Sequence, residues 1–302
     1  MAVSRPSVSV RRGEAADAAL HRLLAKLFAV VTANEPRALK GSVPGLHDIR
    51  VALRRMRSLA MTFAPLERDF LAKLDKRASK TCDRMGVARD LDVWLELFRD
   101  MERVGGLDEI TQRERRAIRH ELQEARARQA TEALECAEFQ RVKKLLRDWL
   151  HAPGPRPCAS TLPVEVYAAR RMLVVQDLIQ QRYRKVGAFP SKRAHDLRRA
   201  GRRMRYLCDS FGALFGRDGI RVGHWITKAQ AALGKIHDYD NALELSLDLP
   251  TSKARAIVRR NLKQRRADQL VLFKKAWRHY TNPRLQDRFR QRLDKTLIKA
   301  EA

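Results

Sequence analysis

His47-Asp-Ile-Arg-Val-Ala-Leu-Arg-Arg-Met-Arg57 returns 148 residues later as His195-Asp-Leu-Arg-Arg-Ala-Gly-Arg-Arg-Met-Arg205. His, Asp and Met are identical in the two copies, and so are all four corresponding arginines. The same offset carries Lys73 onto Arg221, Lys80 onto Lys228, Gly86 onto Gly234, and Arg89-Asp-Leu-Asp92 onto His237-Asp-Tyr-Asp240. One register held over about 45 residues predicts a duplicated unit whose halves pack about a pseudo-twofold axis.

Each copy reads as a helix. At about 100° per residue, His47, Arg50, Arg54 and Arg57 fall within an arc of about 80°, while Ile49, Ala52, Leu53, Met56 and Leu59 take the opposite side. The helix is therefore expected to bury the apolar set and point the cations outward. In the second copy Leu197, Ala200, Met204 and Leu207 lie inward, and His195, Arg198, Arg202 and Arg205 outward. Lys73, Arg77, Lys80 and Arg84 form a further outward stripe on the next helix, backed by Leu71, Ala78 and Cys82. Charged helix faces are commonly just solvated, but those interleave acids with bases at i,i+4, each pair contributing about 0.2–0.5 kcal/mol. Here Asp48 is the single acid between His47 and Arg57, and Arg50 faces Arg54, so the stripe weakens its own helix. That it does so twice is better explained by an anionic ligand than by solubility. The guanidinium fork suits phosphate because it offers two hydrogen bonds to two oxygens and stays charged.

The rest of the chain agrees with an all-α protein. Glycine and proline are scarce inside long segments with apolar residues every three or four positions, and no stretch alternates like a strand. Helices are expected over about Glu14 to Val31, His47 to Phe63, Glu67 to Met85, Leu91 to Val104 and Ile110 to Leu150, the last broken once. The segment His151-Ala-Pro-Gly-Pro-Arg-Pro-Cys158 cannot continue a helix. The expected organisation is a flexible terminus over 1–13, a bundle over 14–150, a Pro-rich linker over 151–162 and a second bundle over 163–299. Of the 302 residues, 44% are hydrophobic, enough for a packed core. Lysine and arginine number 63 against 35 acids, a formal charge of +28. A polyanionic partner would relieve that self-repulsion. No apolar run reaches the roughly 18 residues needed to span a bilayer, since Arg22 and Lys26 interrupt the best candidate. A soluble, cytoplasmic protein is expected.

Other chemistries have weaker support. Cys82, Cys136, Cys158 and Cys208 lie far apart and match neither a zinc site nor a disulfide framework. His47 and His195 have no His or Cys partners at ligand spacing, so no metal is expected there. The Asp90/Asp92 and Asp238/Asp240 pairs follow a glycine by four residues, which reads as a helix end with an Asp capping the next helix, or as ion pairing with stripe arginines. A nucleic-acid binder is the second choice, because Lys and Arg neutralise any phosphate backbone. Against it, Phe63, Phe70, Trp94 and Phe98 fit apolar faces rather than the stripes. A phosphohydrolase or phosphotransfer enzyme would need a Gly-rich phosphate loop or a metal cluster, and neither is found. No catalytic residue and no cofactor is expected.

The tracts His47 to Arg57 and Gly86-Val-Ala-Arg-Asp-Leu-Asp-Val93, with their second copies His195 to Leu207 and Gly234 to Asp240, resemble the CHAD family, the conserved histidine α-helical domain. The resemblance covers roughly residues 14–299. It implies two four-helix bundles with a basic central surface that binds inorganic polyphosphate without chemistry on it, and association with polyphosphate granules. It places the basic ligands on His47, Arg50, Arg54, Arg57, Lys73 and Lys80, and on His195, Arg198, Arg202, Arg205, Arg221 and Lys228, with Arg55 and Arg203 at the edge. The sequence departs from the pattern at His237, where the first copy has Arg89, and at Gly201, a helix-interior glycine. No ExExK tract marks an attached triphosphate-tunnel domain, so the resemblance implies a stand-alone version.

Overall fold

The structure is a computed structural model that describes residues 10–103, 105–152, 162–184, 192–249 and 252–301, the side chains of 192–195 excepted. Within these residues the chain forms ten α-helices, five in each half. They are α1 (Ala16–Leu39), α2 (Val43–Thr62), α3 (Arg68–Arg103), α4 (Gln112–Glu135) and α5 (Ala137–Leu150), then α6 (Val164–Arg184), α7 (Lys192–Phe211), α8 (Gly216–Leu245), α9 (Ser252–Tyr280) and α10 (Pro283–Glu301). A single isolated bridge, Ala15 with Pro163, is the one extended pairing among the described residues. Most of the segment expected as a Pro-rich linker lies outside the described residues, as does Cys158.

Local chemistry explains several boundaries. Ser42 starts α2 by accepting a hydrogen bond from the Gly45 amide at 3.2 Å, with Pro44 in the first turn, so the helix begins before His47. Thr111 and Glu114 form a reciprocal capping box on α4. The expected break within 110–150 falls at Cys136, whose extended backbone separates α4 from α5. The break expected after Gly86 does not occur. α3 runs 36 residues through Asp90 and Asp92, so neither caps a helix, and α8 likewise runs through Asp238 and Asp240. A helix-interior glycine costs about 1 kcal/mol, and the buried Cys82, Met85, Ala88 and Leu91 on either side of Gly86 outweigh it.

The halves do not keep separate cores. One large apolar cluster draws on both, bringing Leu24, Leu53, Met85 and Phe139 together with Met172, Met204, Ile226 and Phe289. Phe63 at the end of α2 meets Phe211 at the end of α7 edge to face, ring centroids 6.0 Å apart. A second cluster joins the far ends of α3 and α8 to the starts of α4 and α9, with Trp94, Phe98 and Ile118 against Tyr239, Ile257 and Leu262. Backbone bonds stitch the entries of α1 and α6, the Val164 amide donating to Glu14 at 2.8 Å and the Ala16 amide to Leu162 at 3.3 Å.

Gly201 has a packing reason. A Cβ there would collide with the buried side-chain amide of Gln230 on α8. Gly201→Ala is accordingly expected to lower stability by about 1–3 kcal/mol despite the better helix propensity of alanine. A urea midpoint at or above that of the parent would show that the α7–α8 approach is not set by this contact.

Candidate functional site

α2 packs against α7, and α3 against α8, so the four motif-bearing helices meet at the middle of the molecule. On α2, His47 lies exposed at the rim, Arg54 and Arg57 are half-buried, and Arg50 is buried. The wheel had placed Arg50 outward. Instead α3 lies over it, and its Nη1 donates to the Cys82 carbonyl at 2.9 Å. Room for it comes from Gly86, where a Cβ would stand 3.2 Å from that nitrogen. Arg57 donates through Nε to Asp75 at 2.8 Å. On α7, Arg198, Arg202 and Arg205 are half-buried, with the Arg205 guanidinium 4.9 Å over the Tyr206 ring. The His195 side chain lies outside the described residues.

Electrostatics show that the two stripes converge. Burial, then the neighbouring Arg54, pushes Arg50 down to about 10. Burial, then Arg198 and Arg54, pushes Arg202 down to about 9. Arg198 is also lowered, by burial first and then by Arg54 against the opposing pull of Asp238. Arg54 is therefore a near neighbour of arginines from both halves. Arg203 is lowered by burial and then by Arg57, again across the boundary. With values of about 9 and 10, Arg202 and Arg50 still carry their charge at neutral pH. Crowded guanidinium groups in a site of reduced dielectric are unfavourable alone and attract an anion strongly. At the rim, partial desolvation and then Arg89 hold the His47 imidazole below its usual value, so it is neutral at pH 7.

The lysines lie further out. Lys73, Lys80, Arg221 and Lys228 are exposed on α3 and α8. Lys80 sits 3.7 Å from Glu138, and the Lys228 ammonium 5.0 Å over the Trp225 ring. Arg55, at the edge of the arc, reaches Asp209 of the other half at 3.6 Å.

The four aspartates separate into two kinds. Asp92 is bound by Arg126 of α4 at 2.7 Å, the pair almost wholly buried, and Arg126 also donates to the Gly41 carbonyl at 3.0 Å. Asp240 is bound by Arg266 of α9 at 2.6 Å. These partners are not stripe arginines. Asp90 and Asp238 instead face the central cluster. Burial raises both above the usual carboxylate value, against the pull of Arg50 and Arg198, and takes Asp238 to about 6.

The family model described as "CHAD domain" matches residues 22–246. The chain belongs to the CHAD domain family. Among solved structures it is similar to the CHAD domain from the plant Ricinus communis, with 22% identity over 95% of this chain and 94% of that one and a TM-score of 0.66. It is also similar to PptA from Streptomyces chartreusis, with 18% identity over 85% of this chain and 98% of that one and a TM-score of 0.61. At these identities the two likenesses speak for the fold. No curated protein matches the chain in sequence.

In this CHAD domain the repeat pointed to the arginine rows, but several central groups escaped it. Arg89 bears on His47, Asp90 and Asp238, and its match to His237 was the available signal. Asp90 and Asp238 look like cap residues in sequence, because spacing alone does not show that a helix continues through a glycine.

Proposed function

We propose that this CHAD domain binds inorganic polyphosphate, without chemistry on it, along the arginine rows of α2 and α7. The observation that carries the reading is the position of Arg54, which neighbours Arg50 in its own half and both Arg198 and Arg202 in the other. A flexible chain of phosphates can lie across both rows and offer each guanidinium its own oxygens. Lys73, Lys80, Arg221 and Lys228 would extend the field beyond the centre. A single-stranded nucleic acid would need exposed rings for stacking, whereas Phe63, Trp94 and Phe98 are buried in the cores. No helix among the described residues is long and apolar enough to cross a membrane, and the cytoplasm and polyphosphate granules are the setting this reading favours.

Titration with polyphosphate and with duplex DNA of matched charge, at equal salt and with phosphate release followed in the presence of Mg²⁺ or Mn²⁺, tests the reading. Polyphosphate should bind more tightly, with affinity falling steeply as salt rises and no phosphate released. DNA binding as tight at every salt concentration would favour the nucleic-acid reading. Metal-dependent release that disappears in Asp90→Asn would make the protein an enzyme.

A further inference from the structure

The half-buried carboxylates Asp90 and Asp238 have no place in simple anion capture, since they stand among the cations the ligand would use, Asp90 one turn beyond the Gly86 on which the Arg50 guanidinium packs. They occupy equivalent positions on α3 and α8, each two residues before an aspartate locked to its own arginine. Among the described residues neither makes a close ion pair. Asp90 interacts most with Arg50, then with Arg198 of the other half, Arg54 and Arg89. Asp238 interacts with Arg198, then with Arg89, Asp90 and Glu96 of the other half. Each carboxylate thus serves guanidinium groups of both halves, and the two bear on each other.

We propose that Asp90 and Asp238 are the internal counter-charges of the central arginines in the free protein, and that they take up protons when a phosphate polymer binds, so that the ligand is held more tightly as the solution is acidified. This rests on the polyphosphate reading. In the free protein the carboxylates soften the repulsion among Arg50, Arg54, Arg198 and Arg202. A phosphate oxygen arriving at those guanidinium groups takes over that task and puts like charge beside the carboxylates, which favours their neutral form. Protonation removes the repulsion, so binding and proton uptake reinforce one another by linkage.

The surrounding groups agree with a window between pH 5 and 8. Those bearing on the pair are Arg50 and Arg54 from α2, Arg198 from α7, Arg89 and Glu96 from α3, and Tyr239 from α8. Arg50, lowered only to about 10, keeps its charge throughout, and His47 sits below its usual value. Asp238, at about 6, is the group that titrates within the window. The sign follows from linkage: a bound polyanion raises the Asp238 value further above about 6, so binding takes up a proton, and affinity rises as pH falls toward about 6 and levels off below it.

The test uses the full chain and long-chain polyphosphate, whose interior phosphates do not titrate near neutrality. Calorimetric titration at pH 6.5 in two buffers of different ionisation enthalpy should show uptake of about one proton per chain, and affinity should rise by about tenfold between pH 7.5 and pH 5.5. Asp90→Asn/Asp238→Asn should bind more tightly than the parent at pH 7.5 and lose most of the proton uptake and pH slope. Weaker binding by that variant at pH 7.5, or a parental slope in it, would overturn the proposal while leaving polyphosphate binding intact. A parent chain that binds polyphosphate at no pH would overturn the functional reading and this proposal with it. Should the variant not fold, the Asp238 carboxyl resonance of the parent decides. Its midpoint must move upward on adding polyphosphate, and an unmoved midpoint would refute the proposal.

Discussion

Replacing both arginines of one row, Arg50 with Arg54 or Arg198 with Arg202, is expected to weaken polyphosphate binding by at least about tenfold at moderate salt. Charge-assisted hydrogen bonds are worth roughly 1.5–3 kcal/mol each, so even partial loss of two exceeds the 1.4 kcal/mol that a factor of ten requires. Either pair should lower affinity, because Arg54 stands among arginines of both halves. The salt dependence should flatten as well, since fewer counterions are released. Helicity should survive in both variants, as Ile49, Leu53 and Met56 or Leu197, Met204 and Leu207 still fill the core. The two rows should differ in stability, however. Removing Arg50 empties a buried position and its bond to Cys82, which offsets the repulsion relieved. Calorimetry over a salt series with circular dichroism in parallel measures both quantities. Unchanged affinity in both variants would place the ligand elsewhere, and collapsed helicity would make the rows structural.

The largest expected loss of stability belongs to Asp92→Ala. Its carboxylate and the Arg126 guanidinium, 2.7 Å apart, are 0% and 7% exposed. Removing one partner of such a pair strands a buried charge, which typically costs 3–5 kcal/mol, or about that much here. Replacing both together, as Asp92→Leu/Arg126→Met, should recover most of the loss, because neither charge then remains unpaired. A urea denaturation series checks this: single and double variants with the same midpoint would mean the loss is one of packing volume. Asp240→Ala should be milder, since its carboxylate is 37% exposed and water can reach the arginine left behind.

Much of the architecture is legible in the sequence because helical periodicity is a local property. The apolar faces of α2 and α7 are read correctly from spacing alone, with Ile49, Leu53, Met56, Leu197 and Met204 all fully buried. What the wheel cannot show is what a neighbouring helix covers. Arg50 and Arg54 share an arc, yet α3 closes over the first, and only a tertiary contact at Gly86 distinguishes them. The continuity of α3 was hidden for a related reason. Gly86 followed by two aspartates resembles a helix end until the apolar residues around it find partners. Gly201, in sequence a departure from the family pattern, marks a close approach of α8.

The shared cores fix the distance between the arginine rows. With Phe63 packed on Phe211 and Trp94 clustered with Tyr239, α2 and α7 cannot drift apart as independently tethered modules would. On the polyphosphate reading, a polymer seated on one row is presented to the other at a high effective concentration, with no linker entropy to overcome. A single orthophosphate gains nothing from that arrangement, because it cannot occupy both rows at once. The rigidity of the core thereby becomes a means of discrimination. Affinity is then expected to grow with the number of phosphates joined in one chain, and short anions to compete poorly for the same cations.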